Sequence, residues 1–143
     1  MTLIKIDPKY VQIDQVYASD NNFTGKAIYK HNHAYLHQDA MPALLKAIEI
    51  VAVQGLKLKI FDAFRPTEAQ ERMFAHTPDP NFVAPPQYGS NHTRAVALDV
   101  TLVDATGQEL NMGTAFDCFT VQSCHGNQEI AQAAQHNRLI LLG

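Results

Sequence analysis

The sequence predicts a single domain that mixes α-helices with β-strands. Three observations carry this. The chain has 143 residues, 46% hydrophobic and 17% charged, which suits one domain with a real core and not two domains. An amphipathic helical pattern over 39–54 runs straight into an alternating strand pattern over 56–64. A second strand-like stretch, 95–104, carries an acidic residue, Asp99, among apolar neighbours.

Residues 1–25 are polar and mixed. Val11, Ile13 and Val16-Tyr17 mark an extended segment that ends in the turn Asp20-Asn21-Asn22. Residues 26–29 read as a short strand. His31, His33 and His37 follow, and the last two would share a face if that turn were helical. No carboxylate motif accompanies them, and Tyr35-Leu36 reads as packing. Over 39–54, Asp39 is placed to cap a helix, Pro42 suits its first turn and Gly55 ends it. Leu44, Leu45, Ile48 and Val51 form its apolar stripe. Over 56–64, Leu56, Leu58, Ile60 and Asp62 alternate with Lys57, Lys59 and Phe61. Phe61, Ala63 and Phe64 make the end apolar on both faces, the mark of a central strand.

Thr67 and Gln70 have capping-box spacing for a helix reaching about His76. Arg65 then sits at a strand-to-helix junction. Residues 77–89 contain Pro78, Pro80, Pro85 and Pro86 and read as a loop leading into Ser90. Long ordered loops beside a candidate site often carry function. After the strand at 95–104 come a turn at Ala105-Thr106-Gly107 and an irregular stretch at 112–117. Residues 128–138 read as a helix, and Leu139, Ile140, Leu141 and Leu142 continue apolar.

Composition removes some function classes. The net charge of -3 offers no basic field for nucleic acid. No apolar run reaches membrane-spanning length, and residues 1–10 lack a signal-peptide core. The expectation is a soluble protein of the cytoplasm, or of the periplasm if a leader was removed. Cys118 and Cys124 form no Cys-x-x-Cys pair, which argues against a cysteine-based zinc site. They read as two partly buried thiols, with a disulfide left open. Seven histidines keep a metal site in view.

The stretch from Ser90 through His92 to Asp99 is where that site is expected. His92 and Asp99 are both good zinc ligands. On a straight strand their seven-residue separation would span roughly 23 Å, while metal–ligand bonds are about 2 Å. If the two hold one ion, the chain must turn near His92 and then run as a strand to Asp99. An acid inside an apolar strand normally has a partner, so the two are expected to converge within about 6 Å.

Several pieces, in order, resemble the VanX-type D-alanyl-D-alanine dipeptidases, a zinc peptidase family. The pattern Ser-x-His-x-x-Gly-x-Ala-x-Asp is met by Ser90, His92, Ala97 and Asp99. Asp62-Ala63-Phe64-Arg65-Pro66 resembles the family's Asp-x-aromatic-Arg-Pro segment. Asp99-Val100-Thr101-Leu102, Met112-Gly113, Phe116-Asp117 and Asn137-Arg138-Leu139 are also similar to it. The resemblance covers the chain from about residue 26 onward. It implies a small α+β domain with a mostly antiparallel sheet, flanking helices and Zn2+ on the sheet. It implies His92 and Asp99 as zinc ligands, and Arg65 as the stabiliser of the transition-state oxyanion. The Arg65 guanidinium is expected to point into the same cavity, its stem packed near Phe64. It implies Ser90 and Asp117 as binders of a small dipeptide substrate, D-Ala-D-Ala, with Asp117 facing the free ammonium.

Two positions depart from the pattern. Ala95 stands where the family has glycine, so a positive φ there would be strained. The family's later Glu-x-x-His segment, which supplies a general base and a third ligand, has no counterpart: Glu129 is followed three residues on by Gln132. His125 and His136 stay open as third ligands. The chain is therefore expected to be a single peptidase-like domain, 1–143, incomplete at its C-terminus, with doubtful activity by itself. The other reading is a non-catalytic peptide- or metal-binding domain on the same scaffold. The apolar run 139–142 is expected to be exposed, mobile, or packed against another chain.

Overall fold

The computed structural model describes residues 1–118 and 129–142. Its strands are β1 (Leu3–Lys5), β2 (Gln12–Ile13), β3 (Tyr35–His37), β4 (Lys57–Asp62) and β5 (Asp99–Val103). Its helices are α1 (Met41–Ala52), α2 (Thr67–His76) and α3 (Gln132–Leu142), with 3-10 turns at Val16–Ala18 and Pro86–Tyr88. This is an α+β fold. β1 and β3 pair antiparallel; β2, β4 and β5 form a second sheet in that order. β4 and β5 are antiparallel, and β2 runs parallel to β4.

β4 is central, as its two-faced apolar pattern requires. Leu58 and Ile60 enter one core with Ile6, Leu36, Leu44 and Leu102. Phe61, pointing the other way, joins Val16, Tyr17, Met73 and Val83 in a second. Each such side chain, when fully buried, is worth roughly 1.5–3 kcal/mol. The strand therefore anchors two cores, and its last residue, Asp62, emerges between them.

The helices differ from expectation at their ends. α1 starts at Met41, with Ala40 at the N-cap and no side-chain cap. Asp39 is exposed, and its backbone N–H donates to His37 Nδ1 at 3.1 Å. Leu45 is half exposed, so Leu44, Ile48 and Val51 form the buried stripe without it. Gly55, at φ +72°, closes the helix with its N–H on the Ala52 carbonyl. α2 is capped by Pro66, not by a box. Gln70 is drawn inward because its amide meets Arg65 and the Ala84 carbonyl.

Residues 26–29 form no strand. The N–H groups of Ile28 and Tyr29 both donate to the Tyr17 carbonyl, which packs this segment on the second core without a ladder. β5 starts at Asp99 and not at residue 95, because 90–95 is taken up in a turn. α3 begins at Gln132 and runs through the apolar stretch. Ile140 and Leu141 pack on the first core of this same chain, and Leu139 is exposed.

Candidate active site

Asp62 ends β4 and Asp99 starts β5; across the antiparallel pair they are register partners, just past an irregularity between Ile60 and Asp62. The sheet thus sets two carboxylates side by side at one end. His92 reaches the same place from a tight turn. Ser90 and Thr93 exchange hydrogen bonds, the Arg94 N–H reaches the Ser90 carbonyl, and the Ala95 N–H reaches the His92 carbonyl. Ala95 closes the turn at φ +61° and is fully buried. The left-handed residue that sequence marked as strained is therefore the one that reverses the chain. The Arg65 N–H donates to the His92 carbonyl at 3.0 Å, pinning the turn to the end of β4.

His92 Nε2 lies 3.4 Å from Asp99 Oδ1. Two ligands bound tetrahedrally at about 2.0–2.1 Å are separated by about 3.3 Å, so the spacing fits one ion. His92 Nδ1 lies 2.9 Å from the Ala63 carbonyl oxygen. A proton held there leaves the Nε2 lone pair facing Asp99, the arrangement that metal-binding histidines use. Burial alone would lower the His92 pKa, but the hydrogen bond and charge of Asp99 raise it. Without an ion, a proton can bridge the pair. Asp99 is half-buried at the strand's start, so the partner it finds is at the mouth of the sheet and not deep within it.

Among the described residues, the one trio able to share an ion is Asp62, His92 and Asp99, with ligand atoms within 4.8 Å of one another. Asp62 is the weak member. A carboxylate offers about four acceptor positions. Its Oδ1 already takes the Tyr29 hydroxyl at 2.6 Å and the Ala63 N–H at 3.0 Å. Its Oδ2 takes Arg65 Nε and Nη2 at 2.9 and 2.5 Å. Asp62 is thus committed to holding Arg65. Burial pushes its carboxyl up, while Arg65, Tyr29 and His92 pull the other way.

Arg65 is buried, and burial alone would lower its pKa; Asp62 beside it raises it, keeping the cation charged. Nη1 donates to Gln70 Oε1 at 2.7 Å, and the guanidinium lies over the Tyr17 ring at 5.5 Å. Nη2 stands 3.8 Å from Asp99 Oδ2. Tyr17 in turn donates its hydroxyl to Asp117 Oδ2. Burial pushes Asp117 up to about 6, and the charge of Asp99 adds to this, while the Tyr17 hydrogen bond opposes it. The segment bearing Asp117 is tied down by α3: Arg138 Nε donates to the Met112 carbonyl at 2.6 Å and Asn137 Nδ2 to the Asn111 carbonyl at 2.8 Å.

Arg65, Ser90, His92, Asp99 and Asp117 all line one cleft of about 240 Å3. A cavity of about 450 Å3 elsewhere is larger, but the convergent charges are here. Sequence reasoning missed Tyr17, Tyr29 and Gln70, and gave Asp62 no role. The signal for Asp62 was present: an acid three residues before an arginine, at the end of a central apolar strand. His136 is exposed on α3 and does not line the cleft. His125 and Cys124 lie outside the described residues; Cys118 is half-buried.

Comparison with known proteins agrees with this geometry. A family model described as D-ala-D-ala dipeptidase matches residues 4–142. The D-alanyl-D-alanine dipeptidase of Escherichia coli is 44% identical over 131 residues, covering 92% of this chain and 68% of that protein. The enzyme of the same name from Enterococcus faecium is 31% identical over 149 residues, covering 90% and 74%. One from Enterococcus faecalis is 29% identical over 152 residues, covering 92% and 75%. With a family match over nearly its whole length and relatives at these identities, the chain belongs to the D-Ala-D-Ala dipeptidases, a family of metallopeptidases.

Proposed function

We propose that this chain acts by zinc-dependent hydrolysis of D-Ala-D-Ala, in the cytoplasmic handling of cell-wall dipeptides or in glycopeptide resistance. The observation that carries the reading is the 3.4 Å approach of His92 Nε2 to Asp99 Oδ1 beside a clamped Arg65. A bound zinc would supply a Lewis acid and a water with pKa lowered towards neutrality. His92 and Asp99 would be its ligands. Arg65 would meet the negative charge that develops on the peptide carbonyl oxygen. A preorganised donor of this kind contributes about 3–4 kcal/mol. Its two bonds to Asp62 and one to Gln70 hold the guanidinium in place before the substrate arrives.

Asp117, ionised, would take the substrate's ammonium group. The Tyr17 hydroxyl orients its carboxylate. The Ser90 hydroxyl, 3.5 Å from Gln70 Oε1, would bind the dipeptide from the other wall. The cleft volume suits two small residues and little more.

A second reading, a non-catalytic peptide- or metal-binding domain, draws on one observation. Asp99 and Asp117 are the carboxylates that line the cleft among the described residues. Both have work in this scheme other than proton transfer. A general base typically contributes about 10²- to 10⁴-fold, so turnover separates the two readings. The test is D-Ala-D-Ala hydrolysis by this chain with zinc and with a chelator, beside calorimetric dipeptide binding. Turnover that the chelator abolishes supports hydrolysis. Dipeptide binding with no zinc-dependent turnover decides for the second reading.

A further inference from the structure

Gln70 lies on α2 and is 1% exposed. A buried amide needs a partner at each end, and both of its partners belong to the cleft. Oε1 accepts from Arg65 Nη1 at 2.7 Å. Nε2 donates to the Ala84 carbonyl at 2.8 Å. Turning the amide over would set Nε2 against the guanidinium and Oε1 against a carbonyl, so the orientation is determined.

Arg65 has five N–H donors. Asp62 takes one on Nε and one on Nη2, and Gln70 takes one on Nη1. One N–H is left on each terminal nitrogen. The Asp62 pair fixes one edge of the guanidinium and lets its plane swing about that edge. The bond to Gln70 stops the swing. Ala84 belongs to the loop between α2 and Ser90, and Phe82, Val83 and Ala84 form one wall of the cleft. The N–H groups of Phe82 and Val83 both donate to the Asp79 carbonyl, which shapes this loop without tying it to α2. The Gln70 bond ties it.

We propose that Gln70 is a positioning residue that sets Arg65 and the loop wall in register, so that the free N–H groups of the arginine face a dipeptide seated on that wall. The proposal rests on the dipeptidase reading. A neutral amide suits the task. It gives the guanidinium an acceptor without a second negative charge, so the cation keeps its pull on the developing oxyanion. It also gives the Ala84 carbonyl a donor. An ionised glutamate can only accept, and a lysine can only donate.

The experiment pairs D-Ala-D-Ala hydrolysis by the full chain with zinc and nitrogen-15 NMR of the arginine side chains. The Arg65 signals are those lost in Arg65→Lys. Gln70→Leu removes both bonds. Per folded molecule its kcat should fall about 10-fold, the loss of one bond to a charged group, and its KM should rise about 3-fold. Its Arg65 Nη1 signals should merge as that group turns freely, while the Nε–H signal stays resolved on Asp62. Gln70→Glu keeps the acceptor and loses the donor. Its Nη1 signals should stay resolved while KM rises about 3- to 10-fold. Native kcat or native Nη1 signals in Gln70→Leu overturn the proposal, as does a native KM in Gln70→Glu. Should Gln70→Leu not fold, as judged by circular dichroism, Gln70→Glu decides. A native chain without zinc-dependent turnover is a failure of the dipeptidase reading instead, and the Nη1 signals then decide by themselves whether Gln70 holds the arginine.

Discussion

Arg65 faces two ways: its Nη2 stands near Asp99, and its Nε and Nη2 hold Asp62. Removing the cation leaves Asp62, 0% exposed, without its counter-charge, and breaking a buried pair costs about 3–5 kcal/mol. Arg65→Ala should therefore lose both activity and stability. Arg65→Lys should retain much of the stability, since the charge stays, while kcat still falls because the fork geometry is gone. Denaturation midpoints and kcat for both variants check this; an Arg65→Ala variant as stable as the native chain would remove Asp62 from the account. Asp117 gives a pH signature. Its folded-state value, about 6, lies above the ordinary carboxylate value of about 3.9. Between those values the folded chain binds more protons, so stability falls as pH rises, and the penalty is complete above about 6. Relative to Asp117→Asn, the native chain should lose ~1–2 kcal/mol from pH 4 to pH 7 after discounting for partial exposure. A relative gain over that window would show that the Tyr17 hydrogen bond outweighs burial.

At the scale of elements, the turn from Ser90 to Ala95 and the segment from Asn111 to Asp117 place the ligands and the ammonium partner. Ala95 sits at φ +61°, which costs a non-glycine residue about 1–2 kcal/mol. Glycine there would recover that, less about 0.4–1 kcal/mol for its freer unfolded state. Ala95→Gly should thus be neutral or stabilising by up to ~1 kcal/mol, and urea midpoints measure it; a clear loss would mean the buried methyl matters more than the backbone. Gly113 is the opposite case. At φ +91°, a Cβ would meet Ile130 side-chain atoms at 2.9 Å. Gly113→Ala should cost about 1–3 kcal/mol, the usual cost of forcing bulk into a packed site. It should also raise KM for the dipeptide, because this segment carries Asp117 and is held by α3. An unchanged KM would separate Asp117 from substrate binding.

At the scale of the whole molecule, metal binding and folding are linked. His92 and Asp99 come from a turn and a strand start, and approach only when β4 and β5 are paired. An ion bound only by the folded chain stabilises it by RT ln(1 + [L]/Kd), about 2.7 kcal/mol at a hundredfold excess over Kd. Tm should rise with zinc in the native chain and stay flat in His92→Ala, followed by calorimetry with and without chelator. An equal rise in both would place the zinc elsewhere.

The central strand, the helices at 39–54 and 67–76, and the order of the chemical segments were all legible in the sequence. Each rests on local periodicity or local turn chemistry, which a linear reading sees. Alanine in place of the family glycine at position 95 pointed to a different turn after His92; the structure keeps the left-handed residue there, at φ +61°. What only the tertiary structure decided is proximity. Asp62 faces Asp99 because two strands pair antiparallel in one register, and Tyr17 and Tyr29 reach the site from a segment with no motif of its own. That segment is drawn in by packing on Phe61 and Met73, a contact between residues far apart in sequence. Capping by Thr67 with Gln70 failed because the Gln70 amide turns inward, where the folded chain offers it Arg65 and the Ala84 carbonyl.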